Sequence, residues 1–159
     1  MLEMVVYITL LSFFMIITVN AALIMTSSYS KALSARLLDS SINLTISKIE
    51  REAKNSISIN DSLSTFNQNP GRISFFTQEG SVLVPVEFFV ENGTLKMKRG
   101  GVLIGAITLP GVSVDSVVFN KIDSSGKQGF RMSITLTADK AGRTKTENFY
   151  YSASLRGSY

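Results

Sequence analysis

Not one of the 11 glycines and 3 prolines of this chain lies in its first 69 residues; the first to occur are Pro70 and Gly71. Helix breakers are withheld from one part and frequent in the other, so the chain divides in two. Within the breaker-free part, residues 4–26 carry no charge, and Glu3 is the only charged residue before Lys31. As a helix, residues 4–26 would span about 34 Å, against a hydrocarbon core of roughly 30 Å. Thr9, Ser12, Thr18 and Asn20 are polar but short, and serine or threonine can bond back to helix carbonyls. A cleaved signal peptide fits poorly, because the apolar run is too long and no basic stretch precedes it. Residues 1–27 are therefore read as a membrane-length helix.

The helix then changes character without a stop signal. Leu33, Leu37, Ile42, Ile46, Ile49, Ala53 and Ile57 recur at helical spacing and form one apolar stripe. Lys48 with Glu52, and Glu50 with Lys54, add i,i+4 charge pairs. The spacing drifts from a strict heptad, so a coiled coil is the weaker reading. Residues 28–59 are expected to continue the first helix, and a single helix of roughly 50–55 residues would be about 80 Å long. Such a stripe needs a surface to cover, and the rest of the chain is the nearest one.

Residues 60–159 read as an antiparallel β region, which makes the fold class α+β, a long helix packed on a sheet. "NDSLSTFNQNPGR" (60–72) is a polar connector. Strand patterns follow at 72–77, 81–91, 94–99, 102–109, 112–122, 130–138 and 144–155. Asn92-Gly93 is a strong hairpin signal. Gly105 suggests a bulge, and Pro85 an edge strand or a bend. The last three strands form a meander whose connectors, "DSSGKQG" (123–129) and "DKAGR" (139–143), read as loops.

Composition removes several functions. With no cysteine and no histidine there is no disulfide framework, no thiolate metal site and no imidazole proton relay. The net charge of +4 comes from scattered basic residues rather than a stripe, so no nucleic-acid partner is inferred. Glu87, Glu91, Asp115, Asp123 and Asp139 are the carboxylates available for hydrolytic chemistry, but Asp123 and Asp139 open turns, where aspartate is favoured for backbone bonding alone. No enzyme is expected. No cofactor is expected either. Calcium near Asp123 is the alternative, and one carboxylate among serines falls well short of six to eight oxygen ligands. Phe149, Tyr150 and Tyr151 are expected to flank the sheet.

A membrane-length helix headed by one glutamate, extended by an amphipathic helix and then by antiparallel strands, resembles the type IV pilin and pseudopilin family. "LEMVVYITLLSFF" (2–14) is similar to the start of a mature prepilin, whose processing motif runs Gly-Phe-Thr-Leu-Leu/Ile-Glu. Leu2 and Glu3 match its last two positions, and Met1 stands at the Leu before them. "SKIEREAKNSISI" (47–59) resembles minor pseudopilins of the J or W type, and "ENFYYSASLRGSY" (147–159) the closing strand of some prepilin-like proteins. The basic leader, its terminal Gly and the Phe-Thr pair are missing from the sequence, which is then expected to be a processed or trimmed form, or one whose start is misassigned.

The resemblance implies a structural subunit, of the minor kind, in a type IV pilus-like filament or a type II secretion or competence pseudopilus. It implies homologous pilin subunits, an inner-membrane assembly platform, a prepilin peptidase and, before assembly, membrane lipid as partners. The location implied is a single-pass cytoplasmic membrane protein with an outward-facing C-terminal region, then a periplasmic or extracellular filament. Charge asymmetry alone argues the other way, since Lys31 and Arg36 follow the span and nothing basic precedes it. Glu3 is the residue implied in subunit assembly. In pilins the equivalent glutamate is thought to pair with the N-terminal amine of the adjacent protomer. On the residues alone, Glu3 could equally sit at the headgroup boundary, favoured by the helix dipole. A membrane-anchored binding module that does not polymerise is the alternative function.

Overall fold

In the computed structural model, which describes residues 2–124, 127–140 and 143–155, helix α1 runs unbroken from Leu2 to Lys54. The breaker-free sequence predicts this, since sharp kinks need proline, Gly/Ser pairs, π-bulges or an inserted group. Helix α1 stops earlier than the expected residue 59. The Asn55 N–H still bonds the Arg51 carbonyl, and the Ser56 hydroxyl donates to the Ala53 carbonyl at 2.6 Å. Arg51 and Lys54 add positive charge where the dipole is negative. Ile57 keeps the helical spacing, yet it lies in a strand, Ser56–Ile59 (β1), and is exposed.

The strands fall into two antiparallel sheets. The first is five-stranded and follows chain order: β1, then β2 (Ile73–Glu79), β3 (Val82–Glu91), β4 (Thr94–Arg99) and β5 (Val102–Ala106). The second is the expected meander of β6 (Val112–Ser124), β7 (Lys127–Lys140) and β8 (Arg143–Ser154). Asn92 and Gly93 both have positive φ, 52° and 66°, as a type I′ hairpin requires. At Gly105 (φ 139°) the β4–β5 register slips: Met97 faces Gly105 and Lys98 faces Leu103, so Ile104 is the extra residue of a bulge.

Two expectations need correction. Pro85 is not in an edge strand, because β3 lies between β2 and β4. Its carbonyl accepts from Gly100, one residue beyond the last β3–β4 pair, Val86 with Arg99. The missing proline donor therefore faces a turn, and no ladder bond is lost. Of the loops expected at 123–129 and 139–143, residues 123–124, 127–129, 139–140 and 143 are strand, and 125–126 and 141–142 lie outside the described residues. Pairing continues to Ser124 with Lys127 and to Lys140 with Arg143, because ladder bonds hold polar residues in extended form at a hairpin end.

One hydrophobic core is shared by α1 and both sheets. Strand β7 contributes every second residue from Phe130 to Ala138, all fully buried. Phe75 of β2 lies 6.1 Å from Phe88 and 5.5 Å from Phe130, joining the sheets through aromatic contacts. The connector 60–72 seals the free edge of β6. The Gly71 N–H donates to the Val117 carbonyl at 2.8 Å, the Asn67 N–H to Phe119 at 2.9 Å, and the Val117 N–H to Asn69 Oδ1 at 3.1 Å.

Helix α1 covers β7 and β8 with its second half. The face that does so is not the apolar stripe alone. Ser34, Leu38, Ser41, Ile42, Thr45, Ile49, Glu52 and Ala53 are buried, whereas Leu33, Leu37 and Ile46 are only partly so. Small hydroxyl residues let the helix approach the sheet, and Ser41 Oγ accepts from the Leu109 N–H at 3.2 Å.

Two polar contacts pin the far end of α1. Arg99 of β4 bridges Glu52 (Nη2 to Oε2, 3.5 Å) and Glu79 of β2 (Nε to Oε1, 2.8 Å). Glu52 is buried, so removing Arg99 strands a carboxylate. Breaking a fully buried pair costs about 3–5 kcal/mol, and solvent access to Arg99 reduces the expected loss for Arg99→Met to about 2 kcal/mol. Denaturant midpoints should show that loss, with recovery in Glu52→Leu/Arg99→Met.

Tyr151 of β8 packs on Phe130 and donates its hydroxyl hydrogen bond to Glu50. Burial first, then the Glu50 charge and this bond, push its phenol from 10.0 up to about 12. Lys54 first, with help from Tyr151, holds Glu50 below the usual carboxylate range. The neutral phenol is the form the fold prefers. Its contribution is full below about pH 10, where the unfolded phenol starts to ionise, and is lost as pH rises toward about 12. Denaturant midpoints should fall over that window, and fall less in Tyr151→Phe.

Candidate functional site: the bare half of helix α1

The first half of α1 touches nothing else in the chain. An 18-residue window of mean hydropathy 2.3 within it is entirely unburied, so the helix is long and apolar enough to cross a membrane. Its large side chains from Leu2 to Met25 are exposed around the whole circumference; Leu2 is 83% exposed and Met25 77%. A helix apolar on all sides needs lipid or other helices around it.

The polar residues of the span behave unequally. Thr9, Ser12 and Thr18 donate to the carbonyls of Val5, Ile8 and Phe14 at 2.5, 2.8 and 2.8 Å, so their hydroxyls are satisfied within the helix. Thr26 does the same to Ala22 at 2.9 Å. Asn20 has no such bond. Its amide sits exposed beside Met15, Ile16 and Val19, which line a shallow concavity with it. A carboxamide that bonds back to its own helix still leaves a second N–H and its oxygen unsatisfied, and in lipid these seek another helix. Sequence reasoning grouped Asn20 with the serines and threonines; its two-sided amide was the signal that set it apart.

Glu3 lies in the first turn of α1, exposed, and makes no ion pair with any described residue. At that end the dipole favours a carboxylate, while the surrounding surface, Leu2, Met4, Val5 and Val6, is apolar.

The other candidate carboxylates are scattered. Glu87 is buried 3.7 Å from Arg72, and Glu91 is held by Lys96 at 2.6 Å. Asp115 accepts from Thr137 at 2.5 Å at the β6 bulge. Asp123 and Asp139 stand near opposite ends of β7, Asp123 across the ladder from Gln128. Among the described residues no three His, Cys, Asp or Glu side chains gather in a way that could hold a metal, and residues 125–126 beside Asp123 lie outside those described. Phe149 and Tyr151 turn half-buried toward the core, while Tyr150 is 73% exposed on the opposite face.

The chain is an α+β protein with one long apolar N-terminal helix packed on antiparallel sheets, an architecture that fits a pilin-like fold. No family model matches it, and no curated protein or solved structure matches it either.

Proposed function

We propose that this chain is a structural subunit, of the minor kind, of a type IV pilus-like filament or a secretion or competence pseudopilus. It is held in the cytoplasmic membrane by residues 1–27 before assembly, with its β region outward. The supporting observation is the division of α1: one rigid helix, bare and apolar over its first half, packed on the chain's own sheets over its second. A membrane anchor alone needs only the bare half. Continuity into the β region, with no linker, fixes the height and rotation of that region relative to the span, which a helically packed filament requires. Glu3 and Asn20 are then the two polar groups that set register between packed helices. Homologous subunits, an assembly platform and a prepilin peptidase are the partners of this reading.

The membrane-anchored binding module is favoured by a different feature. Edge strand β5 carries Val102, Leu103 and Ile104, all exposed, with Val82 and Leu83 of β3 exposed at the same end of the sheet. An open apolar edge invites strand addition by a partner. Electron microscopy of native surface filaments separates the two. The filament reading expects density traceable as this chain with α1 in the filament core and continuous between residues 10 and 25. Recovery of the chain solely as monomers in the membrane would overturn it.

A further inference from the structure

A second feature lies where α1 leaves the apolar span. Lys31, Ala32 and Ser34 on α1, with Thr144 and Lys145 at the start of β8, enclose a cavity of about 410 Å³. Lys31 is five residues past Thr26, hence about 7.5 Å along the helix axis, while the headgroup layer is roughly 5–8 Å deep on each side of the hydrocarbon. The cavity therefore stands at headgroup height. Its lining combines two lysines, each an aliphatic stem ending in an ammonium, with the small residues Ala32, Ser34 and Thr144. Lys145 is shared with Glu147, whereas Lys31 has no carboxylate within ion-pair distance among the described residues.

We propose that this cavity binds the phosphate headgroup of an anionic phospholipid of the leaflet facing the β region, with Lys31 as the principal charge and Lys145 as its second. The inference rests on the membrane-anchored part of the function proposed above. A phospholipid fits better than a soluble anion because Lys31 stands at the height along α1 where phosphates on glycerol backbones are concentrated. The lysine stems and Ala32 would meet the glycerol. Lysines near an anionic surface gain roughly 1 kcal/mol each, about fivefold in occupancy. Bound lipid would fix the depth of α1 in the bilayer.

The test uses the full chain in nanodiscs of mixed phosphatidylcholine and phosphatidylglycerol, with retained lipids counted by native mass spectrometry. Phosphatidylglycerol should be enriched over its share in the disc. Lys31→Gln should cut that enrichment about fivefold, and Lys31→Gln/Lys145→Gln further but by less than a second fivefold, because Lys145 is shared with Glu147. Lys54→Gln, about 35 Å further along the helix, should leave it unchanged. Equal enrichment in the wild type and Lys31→Gln, or equal loss in Lys54→Gln, overturns the headgroup site while leaving the span intact. A chain that stays in solution without lipid or detergent overturns the span as well, so the two failures are distinguishable.

Discussion

Glu3→Ala should leave the protein folded and in the membrane while filaments lose it. Two effects compete at this position. If Glu3 serves its own helix alone, the carboxylate contributes about 0.3–1 kcal/mol through the dipole, and its removal changes nothing beyond the first turn. If it meets the N-terminal amine of a neighbouring subunit inside an apolar bundle, Glu3→Ala leaves that amine buried and unpaired, which costs about 3–5 kcal/mol. A penalty of about 3 kcal/mol is more than a hundredfold in an association equilibrium. Sheared-filament yield, set against membrane level, reads the difference. A hundredfold fall at constant membrane level supports the pairing, and Glu3→Gln, which keeps shape but not charge, should fall nearly as far. Normal filaments from either variant would sink the register role. The β region cannot mask the result, since Glu3 touches none of it.

Much of the fold is legible from where glycine and proline are absent and where they return. The continuity of α1, the Asn92-Gly93 hairpin, the slip at Gly105 and the closing meander each follow from local chemistry that tertiary packing does not override. The failures have a common cause: local pattern cannot see what a segment pairs with. Ile57 continues the helical period, yet Ser56–Ile59 gains more as a fifth strand, with Ser58 and Ile59 paired to Phe76 and Phe75. Pro85 reads as an edge because the early end of β4 is invisible in the sequence. Ser34, Ser41 and Thr45 were absent from the expected contact stripe because hydrophobic periodicity skips small polar residues. Packing uses them because they are small. Of the candidate site, Glu3 and the bare apolar span are plain in the sequence. The isolation of the Asn20 amide emerges only when the neighbouring hydroxyls are seen bonded to their own helix.

The second large effect concerns where the chain can be cut. A chain beginning at Ser28 should be soluble, monomeric and cooperatively folded, because residues 2–26 are all exposed and contribute nothing to the core. A chain beginning at Arg51 should not fold. It loses Leu38, Ile42 and Ile49, each buried against the sheets, together with the partly buried Leu37 and Ile46. At about 1.5–3 kcal/mol for each buried aliphatic side chain, the three buried residues alone contribute on the order of 7 kcal/mol before entropy is subtracted. That approaches the whole net stability of a typical domain, about 5–15 kcal/mol. The cut also uncovers the faces of β7 and β8 beneath α1, an apolar surface that should drive aggregation. Thermal melting of the two chains decides it: a sharp transition for the longer, and none, or aggregation, for the shorter. Equal melting temperatures would mean that the helix contributes nothing to the stability of the sheets it covers. In the proposed filament, the packed half of α1 would then draw its support from neighbouring subunits rather than from its own chain.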